Sequence, residues 1–201
     1  MKSIKLLLLV MLCFSLTSCA LFRVKSTETP EVEVAKGVNI NLPTPEQLNI
    51  NYHSNQILSA TYSINGKTQT YTSEVIVEVN PKHIILVAAS GWGGTIFSID
   101  YDGRNIKSSS LPMPNAAMGI KHTLSDFIFT YASESVLKSM FKGSGITLKV
   151  SPKERLFYLN NKLFMKINYD HKNPWVSNIK LENFLYHYTI KIQNLSVEIN
   201  T

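Results

Sequence analysis

Beyond residue 55 apolar and polar residues alternate along much of the chain. A period of two marks a strand with one buried face. Residues 56–64 and 68–79 read as two strands joined at Asn65-Gly66, a pair suited to the left-handed backbone of a tight hairpin. Val75, Val77 and Val79 share one face of the second strand, which ends at Asn80-Pro81. Residues 83–89 form a nearly continuous apolar strand. Residues 91–94 turn the chain into 95–101, where Phe97, Ile99 and Tyr101 alternate, and Asp102-Gly103 turns it again into 105–110. The period then changes. Leu124, Phe127, Ile128 and Tyr131 fall on one helical face, and Val136, Leu137, Met140 and Phe141 repeat the pattern in a second short helix. Thr123 or Ser125 is the expected cap of the first helix and Ser133 of the second, with Lys138 and Lys142 near the C-terminal end before Gly143. Period two resumes in 146–150, 156–159, 162–169, 179–183 and 186–192, the last placing His187 on its polar face. Asn160-Asn161 suits a hairpin turn, and 170–178 is a loop holding Pro174 and Trp175.

About ten one-sided strands and two short helices predict a mainly β, α+β fold. It is a large curved antiparallel sheet, or unclosed β-barrel, lidded by two or three short helices. Residues 1–18 read as a lipoprotein signal peptide. Lys2 and Lys5 precede an apolar run too short to span a bilayer, and Leu16-Thr17-Ser18-Cys19 resembles a bacterial lipobox. Cys19 is the expected lipidation site. Ala20, where Asp would hold a lipoprotein at the inner membrane, points to an outer-membrane, lipid-anchored protein facing the periplasm. Residues 19–41 read as an acylated Cys and flexible tether. Val32, Val34 and Val38 allow a short edge strand there, but a linker is the preferred reading. Residues 42–201 form a single half-barrel domain.

Composition narrows the chemistry. The chain has 201 residues, of which 17% are charged and 10% aromatic, which suits one folded domain and argues against wholesale disorder. Of its two cysteines, Cys13 leaves with the leader and Cys19 is acylated, so no disulfide is expected. Loss of Lys2 and Lys5 lowers the net charge from +6 to +4, without a basic run, so nucleic acid is not an expected partner. His53, His83, His122, His171 and His187 form no close metal-ligand spacing, and Gly143-Ser144-Gly145 lies between a helix and a strand rather than on a nucleophile elbow. Asp100 and Asp102 share a strand face, but Asp102 heads a turn. No catalytic residue, metal or cofactor is expected.

The order of elements resembles the LolA/LolB-type lipoprotein-carrier architecture. At sequence level, residues 42–195 are similar to an uncharacterised bacterial lipoprotein family associated with aryl polyene pigment biosynthesis clusters. Leu42-Pro43, Gln56-Ile57-Leu58, residues 78–87 and Phe97-Ser98-Ile99-Asp100-Tyr101-Asp102-Gly103 carry the first half of the similarity. Leu124-Ser125-Asp126-Phe127-Ile128, Asn173-Pro174-Trp175 and Leu181-Glu182-Asn183 running into Tyr186-His187-Tyr188 carry the second. Tyr131-Ala132 stands where that family usually has Trp-Pro. The resemblance implies an apolar interior that holds acyl chains. Val75, Val77, Phe97, Ile99, Phe127 and Tyr131 are candidate lining residues, as are Met140, Phe141, Met165, Ile167, Tyr188 and Ile190. Trp92, between glycines on a strand tip, is a candidate membrane or entrance contact. The leading expectation is a monomeric outer-membrane lipoprotein that binds a lipid-like or acyl-chain ligand, an aryl polyene among them, in a wide apolar cavity. It would act in lipid transfer or outer-membrane localisation, with a periplasmic carrier or inner-membrane exporter as partner. The alternative is a non-carrier accessory lipoprotein of a periplasmic export or assembly complex, with a lipid hydrolase or transferase third.

Overall fold

A computed structural model describes residues 29–64, 66–112 and 119–200. The leader, Cys19 and Asn65 lie outside the described residues. Strands β1 (Glu31–Ala35) and β2 (Val38–Asn41) form a hairpin, followed by the single-turn helix α1 (Pro45–Leu48). Then come β3 (Asn51–Ile64), β4 (Lys67–Val79), β5 (Ile84–Ala89), β6 (Thr95–Tyr101) and β7 (Ile106–Ser110). Helices α2 (Ile120–Tyr131) and α3 (Glu134–Met140) interrupt the strands. The chain closes with β8 (Ile146–Ser151), β9 (Glu154–Leu159), β10 (Lys162–Tyr169), β11 (Ile179–Asn183) and β12 (Tyr188–Asn200), a 3-10 turn at Pro174–Val176 preceding β11.

The main sheet has ten strands in the order β7-β6-β5-β4-β3-β12-β11-β10-β9-β8, every pair antiparallel, and it is not closed into a barrel. The pairing of β3 with β12 joins the two runs of strands at the centre of the sheet. Period-two alternation sets the inner face: Val75, Val77 and Val79 of β4 meet Ala88, Leu86 and Ile84 of β5, all buried. Turns fall where the side chains favour them. Asn160 and Asn161 take φ of 49° and 65° between β9 and β10, the left-handed conformation that Asn tolerates best after Gly.

Of the tether expected over 19–41, residues 31–41 instead form the β1–β2 hairpin, and residues 19–28 lie outside the described residues. Val32, Val34, Ile40 and Leu42 are buried in the same core as the sheet. Gly37 turns the hairpin at φ 73°, its N–H donating to Glu33 Oε1 at 2.7 Å. Each strand is too short to show a period on its own, but pairing aligns their apolar residues on one face. Helix α2 also differs at its start. Gly119 is the N-cap, while the Thr123 and Ser125 hydroxyls donate back to the carbonyls of Gly119 and Lys121 within the helix. Ser133 caps α3 as expected, accepting from Val136 N–H. His187 lies not on a strand face but in the turn before β12, at φ 55°. Among the described residues no helix is long and apolar enough to cross a membrane.

Candidate functional site

Helix α2 lies across the centre of the inner face, and the two enclose a cleft of about 50 Å³. Leu58 of β3, Val75 and Val77 of β4, Leu86 of β5 and Phe97 of β6 form one side of its floor. Leu181 of β11 with Ile190 and Ile192 of β12 form the other, and Phe127 and Tyr131 form the roof. Leu58, Ile190 and Ile192 are only partly buried although they sit on the inner face of the two central strands. Those positions would be sealed first if the lid covered the sheet completely.

Gln56 and Asp126 bring polar groups to the cleft. At the middle of α2, Asp126 Oδ2 accepts from the Tyr188 hydroxyl at 2.6 Å, and the Tyr188 oxygen accepts from Asn183 Nδ2 at 3.1 Å. Burial in apolar surroundings pushes the Asp126 carboxyl up to about 7, against the hydrogen bond from Tyr188, and holds the Tyr188 phenol well above its usual range. Toward the end of α2, Gln56 Nε2 lies 3.0 Å from the Tyr131 hydroxyl, 3.2 Å from that of Tyr52 and 3.0 Å from Asn194 Oδ1. The last carbonyls of α2, which have no partner within the helix, are taken up from the sheet. Arg155 Nη1 donates to Phe129 O at 2.7 Å and the Tyr169 hydroxyl to Thr130 O at 2.8 Å. These bonds pin the end of α2, and the ring of Tyr131 stacks on Trp175 with centroids 4.7 Å apart.

Residues 53–196 match the family described as "Protein of unknown function (DUF3261)". The chain belongs to the DUF3261 family. No curated protein matches the sequence. Among solved structures, this DUF3261 chain is similar to the LolA superfamily protein NE2245 from Nitrosomonas europaea, at 12% identity and a TM-score of 0.42 over 75% of this chain and 86% of that one. It is also similar to a candidate outer membrane lipoprotein-sorting protein domain from Vibrio parahaemolyticus, at 10% identity and a TM-score of 0.39 over 74% and 86% of the two chains.

Of the twelve expected lining residues, the structure brings Val75, Val77, Phe97, Phe127, Tyr131 and Ile190 to the cleft of this DUF3261 chain. The others lie elsewhere. Ile99, Met165 and Ile167 are closed core residues. Phe141 packs edge-on against Phe129 and Phe157. Tyr188 stands behind Asp126. Met140 faces a separate groove of about 750 Å³ between the β1–β2 hairpin and α3. The cavity is also not wide: about 50 Å³ compares with roughly 300–1,000 Å³ for a typical small-molecule pocket. The rings of Phe127, Tyr131, Tyr52 and Trp175 pack together there, and the hairpin covers surface that two helices alone would leave open. Trp92 is 89% exposed, on a tip closed by hydrogen bonds between Ser90 and Gly94. Asp102 serves the β6–β7 turn. It accepts from Asn105 and Arg104, which hold its carboxyl down at about 2.

Sequence reasoning missed Asp126, Gln56, Leu58 and Ile192. Asp126 had a visible signal, because Thr123, Asp126, Phe127, Thr130 and Tyr131 form one helical stripe that carries a single acid beside two aromatic rings. Gln56 likewise keeps the phase of Leu58, Ala60 and Tyr62.

Proposed function

We propose that this DUF3261 chain binds one acyl or similarly thin apolar chain between α2 and the centre of the sheet, as a lipoprotein anchored through Cys19 to the outer membrane and facing the periplasm. The observation that carries the reading is that Leu58, Ile190 and Ile192, on the two central strands under α2, are only partly buried. Burying about 12 methylenes stabilises a complex by roughly 10 kcal/mol gross. Admitting them requires Phe127 and Tyr131 to move off the sheet, which offsets part of that gain and leaves a ligand that can be released. Aryl polyene lipids, implied by the sequence resemblance, have the required long and apolar form. Register places the β5–β6 tip with Trp92, Leu111 at the end of β7, and Phe184 and Leu185 of the β11–β12 turn at one end of the sheet. All four are exposed, and they suit a membrane surface across which a lipid would enter.

Native mass spectrometry of the chain purified from its own host tests the reading. A co-purifying lipid is expected, lost in Leu58→Trp, which fills the cleft from its open side. The small closed volume favours a second reading, in which the exposed end docks an export or assembly partner. An empty wild-type chain that ignores added lipids would decide for it.

A further inference from the structure

The cleft is lined mainly by apolar side chains, and its polar lining residues are Gln56, Thr123, Asp126 and Thr130. Gln56 is an amide surrounded by hydroxyl and amide partners. Asp126 is a carboxyl, 8% exposed, on the cleft wall, and among the described residues no Lys, Arg or His forms a salt bridge with it. Among the described residues the donor to it is the Tyr188 hydroxyl, on Oδ2. Above about pH 7, where the carboxyl is ionised, it offers about four lone-pair sites on its two oxygens, so one donor leaves most of its accepting capacity unused. The neighbouring rim depression, of about 230 Å³, is lined by Asn183, Phe184 and Tyr188. Tyr188 and Asn183 thus stand between the outside end of the sheet and the carboxyl inside it.

We infer that Asp126, held in place by Tyr188, recognises the polar end of the bound chain, so that the cleft selects an apolar chain ending in a hydrogen-bond donor, such as a hydroxyl, and rejects one ending in a carboxylate. The inference rests on the chain-binding reading above and names its ligand class. A hydroxyl donates into the unused lone pairs and brings no charge into the apolar cleft. A carboxylate placed there faces a second carboxylate in low dielectric, and two such groups cannot both stay ionised. One of them must take up a proton, which lowers affinity at alkaline pH. Tyr188 is the titratable group that faces Asp126 from the sheet, and its phenol stays protonated across the neutral range.

The test uses the full chain in phosphatidylcholine nanodiscs at pH 8. The probes are a diazirine-bearing fatty alcohol and the fatty acid of the same length, with label quantified on peptides spanning residues 120–131 and 188–193. The alcohol is expected to label these peptides at least tenfold more than the acid. In Asp126→Asn, which removes the charge and keeps an acceptor for Tyr188, the ratio is expected to fall below about threefold. Asp126→Leu gives the same fall if it folds, as checked by circular dichroism. Equal labelling by both probes, or a ratio unchanged in Asp126→Asn, overturns the selectivity while leaving chain binding intact. Absence of label from the cleft peptides with both probes overturns chain binding itself.

Discussion

The buried carboxyl of Asp126 makes stability fall as pH rises, and Asp126→Asn should abolish that dependence. In the folded chain the carboxyl titrates at about 7 because burial penalises its charged form, against 3.8 in the unfolded chain. Between these values the folded state holds a proton that the unfolded state has released. The linkage slope is then negative, so stability is lost as pH climbs from about 4 to about 7 and is constant beyond. At about 1.4 kcal/mol per pH unit, the loss between pH 5 and pH 8 is on the order of 3 kcal/mol. Burial lowers the His122 imidazole, which works in the opposite direction over part of this range, but it is common to both proteins and cancels in their difference. Asp102, held at about 2, titrates below the window. Urea unfolding of wild type and Asp126→Asn at pH 5, 6, 7 and 8, followed by the fluorescence of the buried Trp175, measures the difference. The variant should gain about 3 kcal/mol on wild type between pH 5 and pH 8. Parallel pH profiles, within 1 kcal/mol throughout, would refute a carboxyl sealed in apolar surroundings.

Three further outcomes follow from single contacts. Val34→Ala, 4% exposed in the β1–β2 hairpin, should lower the free energy of unfolding by about 1–3 kcal/mol, measured in urea, whereas a residue in a free tether would cost nothing. Gly103→Ala should cost about 1–3 kcal/mol in the same assay. Its φ is 90°, and a Cβ would come within 3.1 Å of Pro45 Cδ, pressing the β6–β7 turn against α1. Trp92→Ala should leave stability within about 0.5 kcal/mol, because the ring is exposed, yet reduce flotation of the unacylated chain with anionic vesicles.

Much of the sheet was legible because its strands alternate without interruption and end at turn residues. Thr95–Tyr101, Lys162–Tyr169 and Ile179–Asn183 occupy the residues predicted for them. The strand expected over 186–192 continues instead to Asn200, and the cause is local. A register shift between Asn194 and Ser196 changes the phase, so that Ile190 and Ile192 are followed by Leu195, Val197 and Ile199 on odd positions. A strict period of two therefore stops at 192 while the pairing with β3 runs on. The first turn of α2 was missed because it is capped by the backbone of Gly119 and not by a side chain. The width of the cleft was not legible at all. It depends on how the rings of Phe127, Tyr131 and Trp175 meet from distant parts of the chain, and on the hairpin that sequence alone made a linker. Ile99, Met165, Ile167 and Tyr188 are buried strand residues outside the cleft lining, and Met140 and Phe141 belong to α3 and its cap; periodicity assigns a face without locating what covers it.

The most direct measurement of the central claim is a set of intermolecular NOEs between a ¹³C-labelled dodecanol chain and the methyl groups of the protein. Contacts are expected from the chain methylenes to Leu58, Val75, Ile190 and Ile192, with shifts in the Phe127 and Tyr131 ring resonances as α2 yields. Contacts confined to Trp92, Leu111, Phe184 and Leu185 would contradict it and place the apolar ligand on the exposed end of the sheet.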